Sequence, residues 1–319
     1  MKLIYTFLIL CCYLLSSAHA QRISMNDHWK FAKGDIDVSM LSQQAVWTNI
    51  TLPHTWNGYD GQDGGDDYYR GTGWYMRALS LDKNDRGKCI YLRFGAANYL
   101  TEVYLNGVLI GTHSGGYTAF AFDITPFVRY DMSNQLLVKV SNADGLPIPP
   151  LSADFTFFGG LIRGVELIKK NKLHITAEDY GSNGVYVRQD KVSDKEAILS
   201  FTAKVRNTEK NAQKAVISFL IKERDGKVLK ETKEEKMILP KTTMPITSTF
   251  RIGNPHLWNG KKDPYLYIAE VKVKVGSEIV DNYTFPLGIR YYSIDPDRGF
   301  ILNGRSYPLR GVSLHEERK

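Results

Sequence analysis

Residues 100–112 read LTEVYLNGVLIGT. Two short runs of mixed apolar and polar residues, rich in β-branched and aromatic side chains, flank the pair Asn106-Gly107. Asn-Gly between such runs calls for a type I′ hairpin, because both central residues must accept positive φ. The same texture recurs outward. Cys89-Ile-Tyr-Leu-Arg-Phe94 precedes the hairpin, and residues 119–124 and 135–140 follow it, with the turn formers Asp123, Pro126 and Asn134 between or beside them. Helical periodicity is almost absent. Short alternating strands punctuated by Gly, Asn and Pro define an all-β chain of the sandwich type.

Beyond residues 168–173 the glycine- and aromatic-rich texture gives way to a Lys/Glu-rich stretch with cleaner alternation. Strands are expected over residues 197–205, 215–222 and 228–236, with Asp225-Gly226 as a hairpin turn, and then over 266–275 and 278–285. About seven strands in about 115 residues fit an immunoglobulin-like sandwich. The first sandwich is placed at residues 21–170 and the second at 171–290. No low-complexity linker lies between them, so the two are expected to abut.

Residues 1–20, MKLIYTFLILCCYLLSSAHA, have the layout of a secretory signal: Lys2, an apolar run over 3–15, and Ala18-His19-Ala20 as a small-x-small cleavage site. The run is shorter than the roughly 20 residues of a spanning helix. A lipid anchor on Cys11 or Cys12 would follow small residues, and those here are bulky. The reading is an exported protein, periplasmic or extracellular, with no transmembrane segment after cleavage. Cleavage leaves Cys89 alone, so the chain is held by cores and not by internal disulfides. The formal charge of +7 is spread over mixed-sign stretches. Without a basic stripe and interleaved aromatics, nucleic acid is excluded as a partner.

Three local signals remain. The loop at residues 58–67 carries Asp60, Asp63, Asp66 and Asp67, which could ligate a hard cation, reach a carbohydrate, or simply be solvated. The segment 146–163 holds three prolines, then Asp154, an aromatic run, Gly159-Gly160 and Arg163. Asp154 reads as a turn cap or as a ligand contact. His315-Glu316 near the last residue is not the HExxH of a zinc protease. No serine triad, phosphate loop or dinucleotide fingerprint accompanies them.

Several segments, in order along the chain, resemble glycoside hydrolase family 2, the family of β-galactosidases, β-glucuronidases and β-mannosidases. They are Leu52-Pro-His-Thr-Trp-Asn57, Arg70-Gly-Thr-Gly-Trp-Tyr75, the stretch from Asn106-Gly107 through Gly115-Gly116-Tyr117 to Phe122-Asp-Ile-Thr125, and Asp154 to Arg163. In the second sandwich they are Asn254-Pro-His-Leu-Trp258 with Asp263-Pro-Tyr-Leu-Tyr267, then Gly288-Ile-Arg290, Gly299 to Gly304 and Leu309-Arg-Gly-Val312. The Tyr-Tyr-Arg-Gly stretch leans toward the β-galactosidase branch.

The resemblance implies a jelly-roll, galactose-binding-like sandwich, then the immunoglobulin-like sandwich, then the start of a (β/α)₈ barrel at residues 291–319. Residues 302–310 would be the hairpin into the barrel and 309–314 its first strand. Barrel sites lie at the carboxyl ends of strands, so the resemblance makes His315 a substrate contact and Asp154 a second one reaching in from the jelly roll. It implies a terminal β-sugar as substrate, hydrolysed with retention by the intact enzyme. The acid/base and nucleophile glutamates of the family lie on later strands, and Glu316 and Glu317 match neither. The chain alone is therefore expected to be inactive, with no catalytic residue of its own and no cofactor; a cation or homo-oligomer in the intact enzyme is left open. So short a piece of a barrel cannot bury a core, and residues beyond about Gly311 are expected to be poorly ordered or held only by the immunoglobulin-like domain. A stand-alone carbohydrate-binding or adhesive two-sandwich protein is the alternative.

Overall fold

The computed structural model describes residues 20–60, 68–149 and 156–312. The first part contains β1 (Gln21–Ser24), β2 (Trp29–Lys33), β3 (Thr48–Ile50), β4 (Thr72–Ser80), β5 (Cys89–Phe94), β6 (Leu100–Leu105), β7 (Val108–Ser114), β8 (Phe120–Asp123), β9 (Ser133–Ser141) and β10 (Val165–Lys170). They form a six-stranded sheet ordered β3-β2-β4-β9-β6-β7 facing a four-stranded sheet ordered β1-β10-β5-β8, with every pairing antiparallel. Asn106 and Gly107 adopt φ of 52° and 81°, as the hairpin requires. Alternation along each strand sends Tyr75, Leu79, Val103, Leu105, Leu136 and Val138 of one sheet against Leu92, Phe94, Val165 and Leu167 of the other. Each fully buried side chain of this kind contributes roughly 1.5–3 kcal/mol. The outer face of the larger sheet is covered too: Leu41, from the one short α-helix (Leu41–Gln44) among the described residues, packs on Trp74 and Leu137.

The second part contains β11 (Leu173–Ile175), β12 (Val185–Val192), β13 (Glu196–Asn207), β14 (Gln213–Lys222), β15 (Val228–Ile238), β16 (Thr243–Gly253), β17 (Tyr267–Val275) and β18 (Glu278–Leu287). β13 pairs with β11, β12 and β16 in one sheet, and the other runs β15-β14-β17-β18. β13 buries every second residue over its whole length, and Phe201, Phe219 and Phe250 form the centre of the core between the sheets. The edge strand β15 carries the run Lys-Glu-Thr-Lys-Glu-Glu-Lys at 230–236, a charge pattern that discourages pairing with another chain.

A three-stranded antiparallel sheet follows: β19 (Tyr292–Asp295), β20 (Gly299–Leu302) and β21 (Arg305–Ser306). Its hairpin turns at Asn303-Gly304 with φ of 49° and 76°. Asn303 Nδ2 donates to the Trp258 carbonyl at 3.0 Å, and Arg290 lies over the Trp258 ring. The Asn-Pro-His-Leu-Trp and Asp-Pro-Tyr-Leu-Tyr motifs thus act as a bracket: His256 pairs with Asp263 at 2.7 Å and stacks on Tyr265. The segment expected as the first barrel strand makes no ladder over its described residues 309–312, and Leu309 and Val312 are 69% and 92% exposed. A barrel strand is paired on both sides, and no such neighbour exists among the described residues. The remainder of that segment, with His315, Glu316 and Glu317, lies outside them, as does the signal stretch before Ala20.

The two sandwiches meet through a polar seam. Lys170 at the end of β10 donates to Asp281 of β18 at 2.8 Å, and both side chains are buried. The Asp281 carboxylate also accepts from the Ile175 and Asn282 amides. Beside it, His174 Nδ1 lies 2.7 Å from the Asn171 carbonyl and Nε2 lies 2.9 Å from the Tyr91 hydroxyl. A carbonyl only accepts, so Nδ1 carries the proton and Nε2 accepts from Tyr91 in the neutral ring. Burial, reinforced by the Lys170 charge, pushes the His174 pKa down to about 3.

Removing one partner of a buried ion pair costs about 3–5 kcal/mol, whereas replacing both by apolar residues is often neutral or better. Asp281→Ala is therefore expected to cost about 3–5 kcal/mol in urea unfolding, and the double change Lys170→Met, Asp281→Leu to recover only part of it, since the Ile175 amide still loses its acceptor. His174 predicts the acid side of the stability curve. An unfolded histidine titrates near 6.5, so between there and pH 3 the unfolded chain binds the extra proton. The His174 contribution is complete above about pH 6.5 and is lost as pH falls, at up to about 1.4 kcal/mol per pH unit. Unfolding free energies at pH 7, 6 and 5 should fall along that slope in the native chain, and less steeply in His174→Gln.

Candidate functional site

Three of the segments singled out by sequence converge at one end of the jelly roll. Asn57 and Asn142 are fully buried, and Asn142 Nδ2 donates to Asn57 Oδ1 at 3.1 Å. Asn142 Nδ2 also donates to the Phe157 carbonyl at 2.7 Å, while its Oδ1 accepts from the Gly71 amide at 2.9 Å. Asn57 Oδ1 accepts from the Gly159 amide at 2.7 Å, and its Nδ2 donates to Asp60 Oδ2 and to the Tyr69 carbonyl. The two carboxamides therefore tie residues 57–60, 69–71, 142 and 157–159 together. A buried amide left unpaired would cost about 1–3 kcal/mol, so each fixes the backbone it touches.

Further side chains hold the same segment. Arg70 Nε donates to the Asn142 carbonyl at 2.6 Å, its Nη1 pairs with Asp144 at 3.1 Å, and its guanidinium lies 4.5 Å from the centre of the Phe157 ring. The Phe157 amide donates to the Tyr68 hydroxyl at 2.5 Å, a phenol whose pKa is raised, chiefly by burial. The Trp56 indole lies over Gly159, where an added Cβ would sit 2.0 Å from the ring. Gly160 has φ of +130° and leaves a Cβ no room beside the His54 carbonyl and the Tyr75 hydroxyl. His54 Nδ1 lies 2.8 Å from that hydroxyl, and burial pushes the imidazole down to about 4, so it is neutral near pH 7.

Asp154 itself lies outside the described residues, three positions before the clamped Phe157; His315 lies outside them as well. Of the four aspartates weighed for a cation, Asp60 is described, and it accepts from Asn57 Nδ2 and the Tyr69 amide. Asp63, Asp66 and Asp67 fall outside the described residues.

One residue of this region escaped the sequence reading. Asn98 is fully buried, forms an antiparallel bridge with Gly160, and donates from Nδ2 to the Phe158 carbonyl at 2.6 Å. Its Oδ1 is buried with no hydrogen-bond partner among the described residues, so an acceptor is left over beside the segment that leads back to Asp154. The signal was Gly95-Ala-Ala-Asn98, a small-residue break between two strands that ends on a carboxamide.

The chain thus holds residues 157–159 at one end of a jelly roll that is followed by an immunoglobulin-like sandwich. The model of the glycosyl hydrolases family 2 sugar binding domain matches residues 16–171, and that of glycosyl hydrolases family 2 matches residues 180–290; the chain belongs to this family. A β-glucuronidase of Bacteroides fragilis is 39% identical over 98% of this chain and 44% of its own length. A β-galactosidase of Bacteroides ovatus is 31% identical over 93% of this chain and 35% of its own length. The crystal structure of a Bacteroides uniformis β-glucuronidase superposes with a TM-score of 0.87 at 35% identity, covering 94% of this chain and 36% of that one. The chain spans less than half the length of each.

Gly159→Ala is expected to cost about 3 kcal/mol, since the methyl would displace the Trp56 ring. Asn142→Ala should cost about as much by stranding the Gly71 amide and the Phe157 carbonyl. Chemical denaturation measures both; changes under about 1 kcal/mol would show that the clamp does not hold the segment.

Proposed function

We propose that these 319 residues form the amino-terminal, non-catalytic part of an exported retaining exo-glycosidase acting on terminal β-galactosides or β-glucuronides. The observation that carries the reading is the clamp on residues 157–160. Such a rigid end to the jelly roll fits a device that holds Asp154 toward a sugar hydroxyl while the chemistry takes place elsewhere. In this reading residues 21–170 are the jelly-roll domain, 171–290 the immunoglobulin-like domain and 291–319 the entry to a catalytic barrel. Asp154 contacts the sugar from the jelly roll and His315 from the end of the first barrel strand. Retaining hydrolysis needs two carboxylates roughly 5–5.5 Å apart, and in this reading both lie outside the 319 residues. The relatives named above carry both the β-glucuronidase and β-galactosidase names, which supports the pair of substrates. The layout of residues 1–20 supports export, and no helix among the described residues is long and apolar enough to cross a membrane.

The purified chain is expected to release no nitrophenol from p-nitrophenyl β-galactoside or β-glucuronide beyond the buffer rate; turnover abolished by mutating Glu316 or Glu317 would overturn the reading. At the front of an intact enzyme, Asp154→Ala and His315→Ala should each lower kcat/KM about ten-fold or more. Amino-terminal sequencing of the exported product should begin at Gln21.

A further inference from the structure

Strand β1 is in its ladder from the first residue: Gln21 lies opposite Lys169 of β10. In the export reading proposed above, on which this inference rests, Gln21 is also the first residue left when the chain is cut after Ala18-His19-Ala20. The fold thus uses the backbone up to the processing point itself. Ala20 is half-buried against Cys89, Tyr91, Ile168 and Ala177, none of them more than 2% exposed. The Gln21 nitrogen, bonded directly to Ala20, therefore sits at the rim of an apolar cluster.

Cutting after Ala20 changes what this nitrogen is. In the uncut chain it is a neutral amide carrying one N–H. At a new chain end it becomes an ammonium beside apolar side chains, where lost hydration is unfavourable. The carboxylates around the paired strand are taken: Lys169 holds Asp85, Lys170 holds Asp281, and Arg22 and Arg93 hold Glu166. A glutamine at a free end has a chemical course that removes the charge. An α-amine titrates at about 8, so part of it is free base at neutral pH and can attack the Cδ of its own carboxamide. The N–Cδ bond forms, the Cδ–Nε2 bond breaks, and one amine proton leaves with Nε2 as ammonia. No oxidant or co-reactant is needed. Gln21 is exposed, so nothing buried has to move for its carboxamide to fold back.

We propose that Gln21 is a modification site, carried by the exported chain as the cyclic lactam pyroglutamate. The lactam nitrogen is again a neutral amide with one N–H, so cyclisation restores at the head of β1 the kind of group that the uncut chain has there. It also protects a weak point. β1 is a four-residue strand at the edge of its sheet, and an aminopeptidase that trimmed it would uncover β10. A lactam end offers such an enzyme no amine.

The test is mass-spectrometric sequencing of the amino-terminal peptide, since a lactam blocks stepwise chemical degradation. Three samples are compared: the native chain after export, its Gln21→Ser variant after export, and the native chain released at Gln21 from a cleavable fusion and held in neutral buffer. The exported native chain is expected to begin at residue 21, lighter by one ammonia, with no uptake of an amine-labelling reagent at that end. Gln21→Ser should begin at the same place, keep its full mass and take the label. Cyclisation of the released chain as well marks a spontaneous step, and cyclisation of the exported chain alone a step assisted in the exporting cell; either supports the proposal. An open Gln21 on the exported chain overturns the proposal and leaves the export reading standing, and a blocked end in Gln21→Ser overturns it likewise. A product that begins at any other residue overturns the export reading, and the proposal with it.

Discussion

Two carboxamides buried against each other, Asn57 and Asn142, decide where the loops at one end of the jelly roll come to rest. An amide has directional donors and acceptors, and inside a protein it has no water to fall back on. Each contact therefore selects one backbone path out of many. Trp56 then closes over Gly159, and a position without a side chain becomes the only one that allows the closure. The sheets beneath supply most of the folding energy. The asparagines supply the shape of that end.

The seam between the sandwiches follows the same logic with charge in place of amides. Lys170 and Asp281 gain little net stability from being buried, because desolvation offsets most of their attraction. What they fix is the register of one sandwich on the other. The neutral His174, pinned between a carbonyl and a phenol, completes a boundary that is specific more than it is strong.

The central strands and the hairpin turns were readable from the chain alone, because period-two alternation and Asn-Gly pairs act within a few residues. Asn106-Gly107 and Asn303-Gly304 fold as their positive φ demands. Eight strands, against about seven anticipated, make the second sandwich; β11, β12 and β16 fall outside the five ranges assigned from sequence, β12 because its exposed, polar-rich alternation gives little apolar signal. The clamp and the seam were not legible, since Asn57 and Asn142 lie 85 positions apart and Lys170 and Asp281 lie 111 apart. Nothing local in either sequence neighbourhood specifies the other. Resemblance pointed to the segment 154–163 without saying what holds residues 157–160, and it passed over Asn98, whose role appears only when the Gly160 bridge is formed.

The seam also bears on how such enzymes are assembled over evolutionary time. Lys170 belongs to the last strand of one sandwich and Asp281 to the last strand of the next, so neither is electrically complete alone. A recombination event that grafted a foreign jelly roll onto this immunoglobulin-like partner would strand a carboxylate or an ammonium in a dry boundary. The two sandwiches look like interchangeable modules, yet each carries a buried charge that the other completes.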